Sequence, residues 1–489
     1  MSATDKNLDL RVVIIGAGMA GIMAAINLKK AGYNNVIIYE KAKKLGGTWR
    51  ENTYPGLTCD VPSHGYTYSF EGNPEWTHKY PPGSEIQGYF EQTSNKYGVD
   101  ELTQCNQEIT RCNHIDGQWH LETKSGIKEK ADIVIAATGV LHVPSYPDIK
   151  GIEDFEGAIF HTSRWDHSVP LDDKRVAIIG TGSTGCQIVS GLYQRTAKVS
   201  QFQRTAQWIM HSDNPIYTEE EKQAFRNDPA LLTSMQHSPE SDAMVEWFTN
   251  AIINPDSEGM AQLEATVREN LESKVKDPVL LEKLRPNYRA VCKRLIFSAD
   301  YYEAIQGPNS ELVTEGIDRI EAKGIRTLDG KLHEFDVIAL ATGFKADRFM
   351  RPMEITGKNN MTLENLWKKR PSAYLAISMP SFPNFFMLNG PNGPVGNFSL
   401  IDIAESQWGY IEQLIDLISA GKCKEVDVKQ AALDQFDIDR IAAAKTTIWA
   451  TGCNSWYLDS EGVPATWPWS RERFKEEMKA PKLDDYDLA

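Results

Sequence analysis

Two glycine triplets carry the first chemical signal, Gly16-x-Gly18-x-x-Gly21 and Gly180-x-Gly182-x-x-Gly185. Where such a triplet joins a strand to a helix, its first glycine permits a tight turn and its second lets the backbone approach a pyrophosphate. The third lets helix and strand pack closely, and the phosphate sits at the helix N-terminus. Both triplets have that context: β-branched runs at residues 10–15 (LRVVII) and 174–179 (KRVAII) precede them, and helical patterns at 22–31 and 186–192 follow. Ala20 in the first motif, and Thr181, Ser183, Thr184 and Gln187 around the second, are counted with these contacts. Glu40 closes the strand over 35–39, where a carboxylate accepts both ribose hydroxyls, which fits FAD or NAD and repels a 2'-phosphate. At the corresponding place in the second unit, after a strand over 198–203, stand Arg204 and Thr205. A guanidinium forks onto a phosphate and the hydroxyl adds a donor, so this position selects the 2'-phosphate of NADPH.

The chain between and after these motifs supplies the elements that must position them. Gly46-Gly47-Thr48-Trp49 forms a turn suited to the flavin side of a dinucleotide, with the indole covering an apolar face. Tyr54-Pro55-Gly56 is a rigid turn delivering Cys59 and Asp60 toward the cofactor ring. Strands ending in Ala-Thr-Gly at 132–139 (DIVIAATG) and 336–343 (DVIALATG) echo each other, as expected of two related dinucleotide units. From Thr218 the texture turns charged and helical, with Thr218 and Glu221 at capping-box spacing. Residues 383–393 read as a strand running into a glycine turn, followed by a helix over 400–420 with apolar Ile403, Ile411, Leu414, Ile415 and Ile418 and a stop at Gly421. The expected class is α/β, with two Rossmann-like dinucleotide-binding domains and a helical insertion. The first domain takes residues 1–145 and 346–489, with an active-site loop near the end. The second takes 146–216 and 289–345, and the insertion takes 217–288.

Composition narrows the function. A net charge of -15, from 67 acidic and 52 basic residues, disfavours nucleic acid or an anionic membrane as the main partner. The 7 cysteines are scattered and form no C-x-x-C pair, so neither a disulfide framework nor a zinc site is indicated, and no metal is expected. The amino-terminal MSATDKNLDL lacks the plan of a signal peptide, the uncharged run from Val12 is broken by glycines, and the sequons at Asn360 and Asn397 read as accidental. A cytoplasmic protein is expected.

Two longer patterns identify a family. Phe155, Gly157, His161, Trp165 and Asp166 fill F-x-G-x-x-x-H-x-x-x-W-[PD], and Gly46, Gly47, Trp49, Tyr54, Pro55 and Asp60 fill [AG]-G-x-W-x(4)-[FY]-P-x(4)-D. At these residues, and over nearly its whole length, the chain resembles the flavin-dependent type I Baeyer-Villiger monooxygenases. The resemblance implies that Asp60, Tyr66, Ile109 and Leu400 lie with the FAD site, that Lys293 contacts the NADP phosphate region and that Arg294 faces the flavin. Leu295 stands where several relatives carry proline. It assigns His161, with Trp165, to domain coupling or nicotinamide contact, and Trp456, in the stretch Gly452-Cys-Asn-Ser455-Trp456-Tyr457, to substrate or NADP; a packed aromatic is an equal reading of Trp456.

FAD and NADPH together imply hydride transfer to the flavin. Disulfide reductases of similar plan carry a cysteine pair after the first unit, and here only Cys59 is present. Reduced flavin then reacts with O2 to give a C4a-peroxide, which needs a fixed cation; Arg294 supplies it, oriented by Asp60. The expected reaction converts ketones to esters or lactones, with sulfoxidation as a side activity. The alternatives are an N- or S-oxygenating flavin monooxygenase and a non-catalytic nucleotide-binding redox sensor.

Overall fold

The computed structural model describes residues 6–236, 238–396 and 398–489. The first five residues of the amino-terminal stretch and the sequon at Asn397 lie outside them. Two five-stranded parallel sheets organise the chain. The first runs in the order Phe385–Met387, Ile133–Ala136, Val12–Ile15, Val36–Tyr39, Thr103–Gln104. The second runs Ser310–Val313, Lys198–Phe202, Arg175–Ile179, Val337–Leu340, Ala158–His161. Val12–Ile15 and Val337–Leu340 are buried at every position, which explains their unbroken apolar runs: helices cover one face of each parallel sheet and an antiparallel meander packs on the other. The α/β class with two Rossmann-like units is confirmed.

The Ala-Thr-Gly echo has a structural meaning. In each sheet the echoing strand lies beside the strand that opens the unit, and the residue after it presses its carbonyl on the first glycine. A Cβ on Gly16 would meet the Ala137 carbonyl oxygen at 2.6 Å, and one on Gly180 would meet that of Ala341 at 2.2 Å; their φ values are +104° and +126°. Only glycine satisfies both the contact and the backbone. Each unit also carries an antiparallel meander just before its echo strand, over Ile109–Ile115, Gln118–Thr123 and Lys128–Ala131 in the first, and Ile317–Glu321, Gly324–Thr327 and Leu332–Glu334 in the second.

Helices Glu219–Asn227, Pro229–Gln236, Pro239–Ile253, Glu258–Lys274 and Pro278–Leu284 occupy the stretch between two short parallel-paired strands, Ile209–Met210 and Ile296–Phe297. The capping box forms as its spacing predicts: Glu221 N–H donates to Thr218 Oγ1 at 3.2 Å, and Thr218 N–H donates back to the Glu221 carboxylate at 2.7 Å. Near the end, helix Leu400–Ser419 packs on helix Met19–Lys30, burying Ile403, Ile411, Leu414, Ile415 and Ile418. Each such side chain contributes about 1.5–3 kcal/mol by leaving water.

The two units meet where helix Ser183–Leu192 crosses the turn over residues 54–58. Tyr54 Oη donates to Gln187 Oε1 at 3.0 Å, and Gln187 Nε2 donates to the Thr58 carbonyl at 3.0 Å. Gly191 makes this approach possible, because a Cβ there would sit 2.9 Å from the Gly56 nitrogen. Gly191→Ala is therefore expected to cost about 1–3 kcal/mol by overpacking. Gly88→Ala, in helix Gly83–Lys96 with open space around the new methyl, is expected to gain about 0.5–1 kcal/mol. Thermal unfolding of the two variants beside the parent checks the opposite signs; equal shifts would contradict the interface packing.

Candidate active site

The first cradle is built from backbone. Gly18 caps helix Met19–Lys30 without a side-chain hydrogen bond, so the amides of the first turn, Ala20 and Gly21 included, face outward without a helical partner. Gly47 closes on it, since a Cβ at Gly47 would lie 2.9 Å from the Gly18 Cα. Glu40, at the end of its strand, is buried and accepts from the Ala17 and Ala42 amides at 2.9 Å each. Arg50 also pairs with it at 3.1 Å and donates to the Lys44 carbonyl at 2.6 Å, so the carboxylate is pinned before any ribose arrives. Gly46 and Gly47 lead into the short helix Thr48–Glu51, where Trp49 Nε1 donates to Tyr66 Oη at 3.1 Å and the two rings meet edge-on. Ile109 opens its strand in the core around Ile15 and Tyr39, and Leu400 opens the long return helix.

The second cradle repeats the plan. Gly182 caps helix Ser183–Leu192 without a side-chain bond, and a Cβ there would meet nothing within 4 Å. Ser183, Thr184 and Gly185 form its first turn. Thr181 Oγ1 donates to the Thr205 carbonyl at 2.8 Å, which holds the end of the neighbouring strand. Arg204 is exposed there, and Lys293 lies close enough to feel its charge: burial first, then Arg204, push the Lys293 pKa down. Lys293 Nζ sits 4.9 Å from the centre of the Tyr288 ring. Among the described residues neither Arg204 nor Lys293 is paired with a carboxylate. Gln187 instead spends its amide on the inter-unit contact, bonding Tyr54 and Thr58.

Between the cradles lies an ion pair. Arg294 donates through Nε at 3.0 Å and Nη2 at 2.6 Å, both to Asp60 Oδ2, with side-chain exposures of 34% and 25%. The Asp60 charge holds the Arg294 pKa well above the ordinary guanidinium value, against the opposing effect of burial. Burial pushes up the neighbouring Cys59 thiol and the Tyr66 phenol, so both are neutral near pH 7. Val291, three residues before Arg294, holds φ at +65°, a conformation rare for a β-branched residue and found where structure over-determines the backbone. Arg294 opens on a small cleft lined also by Phe248, Ile252, Leu295, Phe297 and Trp449.

The structure corrects two parts of the sequence reading. Cys292 and Cys453 form a disulfide across 161 residues, where no pairing was expected; the segment before Arg294 and the loop after residue 450 meet only in the folded chain. In and just after the segment from Phe155 to Asp166, side chains other than His161 make the polar contacts between the units. His161 Nδ1 accepts from the Ser163 amide at 3.1 Å, so Nε2 carries the proton and donates to the Gly343 carbonyl at 3.0 Å, all within the second unit. Trp165 packs on Phe160 and shares a core with Tyr54. Polar contacts across the units come from Arg164, paired with Glu51, and from His167, whose Nε2 lies 2.7 Å from Thr53 Oγ1. Trp456 is 39% exposed and packs at a tilt against Tyr457, and it is Tyr457 that lines the cleft beside Arg294. Its place directly after Trp456 was the only signal for it in the sequence. Among the described residues no helix is long and apolar enough to cross a membrane.

A family model described as pyridine nucleotide-disulphide oxidoreductase matches residues 13–223. An uncharacterized monooxygenase of Mycobacterium tuberculosis is 44% identical over 477 residues, spanning 98% of this chain and 96% of its own length. A Baeyer-Villiger monooxygenase of Streptomyces coelicolor is 34% identical over 491 residues, spanning 98% and 92%. The crystal structure of OTEMO in complex with FAD and NADP matches with a TM-score of 0.89 at 27% identity, covering 98% of this chain and 99% of that one. With two dinucleotide cradles facing one ion pair, and with relatives of this identity and span, the chain belongs to the type I Baeyer-Villiger monooxygenases, NADPH-dependent flavin enzymes that carry FAD.

Proposed function

We propose that this enzyme inserts one oxygen atom of O2 beside the carbonyl of a ketone, giving an ester or lactone, and that small thioethers are sulfoxidised at the same site as a side activity. The observation that carries the reading is the Asp60–Arg294 pair opening on an apolar cleft. The residues fit both nucleotides: open first-turn amides at Gly18 and Gly182, a pinned carboxylate at Glu40, and two cations, Arg204 and Lys293, without a carboxylate partner among the described residues. Bound FAD, reduced by NADPH, supplies the activation of O2.

The chain's own residues do the rest. In the first unit, Gly16, Gly18, Ala20, Gly21 and the Gly46–Trp49 turn hold the pyrophosphate and flavin side of FAD, Glu40 its ribose, and Tyr66, Ile109 and Leu400 flank it. In the second unit the Thr181–Gly185 turn takes the NADP pyrophosphate, and Arg204, Thr205 and Lys293 take the 2'-phosphate. Two cations held side by side without a counter-ion repel each other, and a dianionic phosphate relieves that repulsion. Gln187 fixes the angle between the units.

Arg294 keeps its charge at every working pH, so it neither gives up a proton nor needs one returned. In the cleft it stabilises negative charge developing on oxygen as a carbonyl is attacked, and Asp60 holds it there. The aromatic and aliphatic walls suit a hydrophobic ketone and keep water from the reacting atoms. Oxygen-dependent consumption of NADPH separates this reading from a non-catalytic redox sensor.

Two measurements test the assignments. Arg294→Ala is expected to keep flavin reduction by NADPH while ketone oxygenation falls on the order of 10²–10³-fold; ester formation at the parent rate would remove Arg294 from the mechanism. Arg204→Ala is expected to weaken use of NADPH by about 10- to 100-fold, the loss of a charge-assisted hydrogen bond, and to leave NADH unaffected. Equal effects on the two nucleotides would overturn the phosphate assignment.

A further inference from the structure

The hold of Asp60 on Arg294 is one-sided. Both of its bonds to Asp60 end on the single oxygen Oδ2, at 3.0 and 2.6 Å. A two-oxygen fork fixes a guanidinium in its plane, whereas two bonds to one oxygen leave it free to pivot about that atom. A second acceptor is needed to stop the pivot, and the guanidinium has N–H donors left to meet one. The Tyr457 hydroxyl is placed to supply it: Tyr457 lines the same cleft as Arg294 and is only 4% exposed, and the two groups lie close enough that Arg294 opposes the upward push of burial on the Tyr457 pKa.

The surroundings of Tyr457 are built to hold that hydroxyl in place. A Cβ on Gly396 would lie 2.2 Å from Tyr457 Oη, so glycine is required where the phenol enters the cleft. Its ring packs at 5.5 Å from Trp449 and 4.2 Å from Trp456, and its carbonyl accepts from the Ala465 amide at 2.8 Å. The loop is fastened on both sides of Tyr457. Ahead of it, Cys453 is bonded to Cys292, which stands two residues before Arg294. Behind it, Asp459 pairs with buried Arg370 at 3.0 Å. The staple thus joins the two stretches of chain that carry the cation and the phenol.

We propose that Tyr457 is a positioning residue for Arg294, delivered by a loop that the Cys292–Cys453 bond fastens to the arginine's own segment. The inference rests on the role given to Arg294 above. Its hydroxyl accepts a guanidinium N–H and keeps its own proton free to donate toward the cleft. The charge of Arg294 is then presented in one orientation, where a guanidinium held by Asp60 alone has several.

The test uses the holoenzyme with Tyr457→Phe, Cys453→Ser and Arg294→Ala beside the parent. Tyr457→Phe keeps the ring and its packing, and it is expected to lower kcat for ketone oxygenation by about 10-fold or more, the loss of one hydrogen bond to a charged group. The KM for NADPH and the rate of flavin reduction stay at the parent values, a split that mere loosening of the fold would not give. An unchanged kcat in Tyr457→Phe, with Arg294→Ala inactive, overturns the positioning role alone. An active Arg294→Ala removes the reading beneath it. The staple has a readout independent of activity: a non-reducing digest of the holoenzyme is expected to yield one cross-linked peptide pair containing Cys292 and Cys453, and limited proteolysis of residues 451–456 is expected to quicken in Cys453→Ser. Free thiols at both positions, with equal cleavage in parent and variant, would overturn it.

Discussion

The Asp60–Arg294 ion pair joins stretches of chain 234 residues apart, and most of the architecture can be understood as what brings them together. Asp60 follows the turn over residues 54–58, which is set by the first sheet and its glycine cradle. Arg294 follows the helices that end at Leu284 and a backbone held at positive φ at Val291. Neither charge is fully buried, so each keeps some water while its partner supplies direction. Separating them would leave a guanidinium facing apolar walls without its counter-charge, which is costly in such surroundings.

Holding that pair requires a fixed angle between two units that are otherwise independent folds. The fixing is done by small polar contacts and close backbone approach: Gln187 on Thr58, Tyr54 on Gln187, and Gly191 against Gly56. Arg164 on Glu51 adds a charged contact, and Glu51 in turn pairs with Arg50, which holds Glu40. A continuous chain of bonds therefore runs from the interface between units to the carboxylate at the first ribose position. Helix Pro239–Ile253 closes the other side of the cleft with Phe248 and Ile252, so the helical insertion forms part of the wall facing Arg294.

Much of this was legible in the sequence because it is local. A glycine triplet between a β-branched run and a helical pattern is decided within about twenty residues, and both cradles formed where those triplets stand. The repeated Ala-Thr-Gly pointed to paired units, and the structure gives its cause in the carbonyls of Ala137 and Ala341 pressing on Gly16 and Gly180. What the sequence hid depends on distant segments meeting. Cys292 and Cys453 look like unrelated thiols until the loop folds over Arg294. Gln187 reads as a nucleotide contact by its place in the motif, but its amide faces the neighbouring unit. Tyr457 was passed over for the larger Trp456, although adjacent residues on a loop point in different directions and only one of them is buried.

The most direct test of the central claim is a double-mutant cycle on Asp60→Ala and Arg294→Ala, following ester formation from a ketone with flavin reduction by NADPH as the internal control. If the two residues act as one device, the double variant loses no more oxygenation than Arg294→Ala alone, because Asp60 works through the arginine it holds. Losses that multiply in the double variant would mean that the two groups act separately, and would contradict the account.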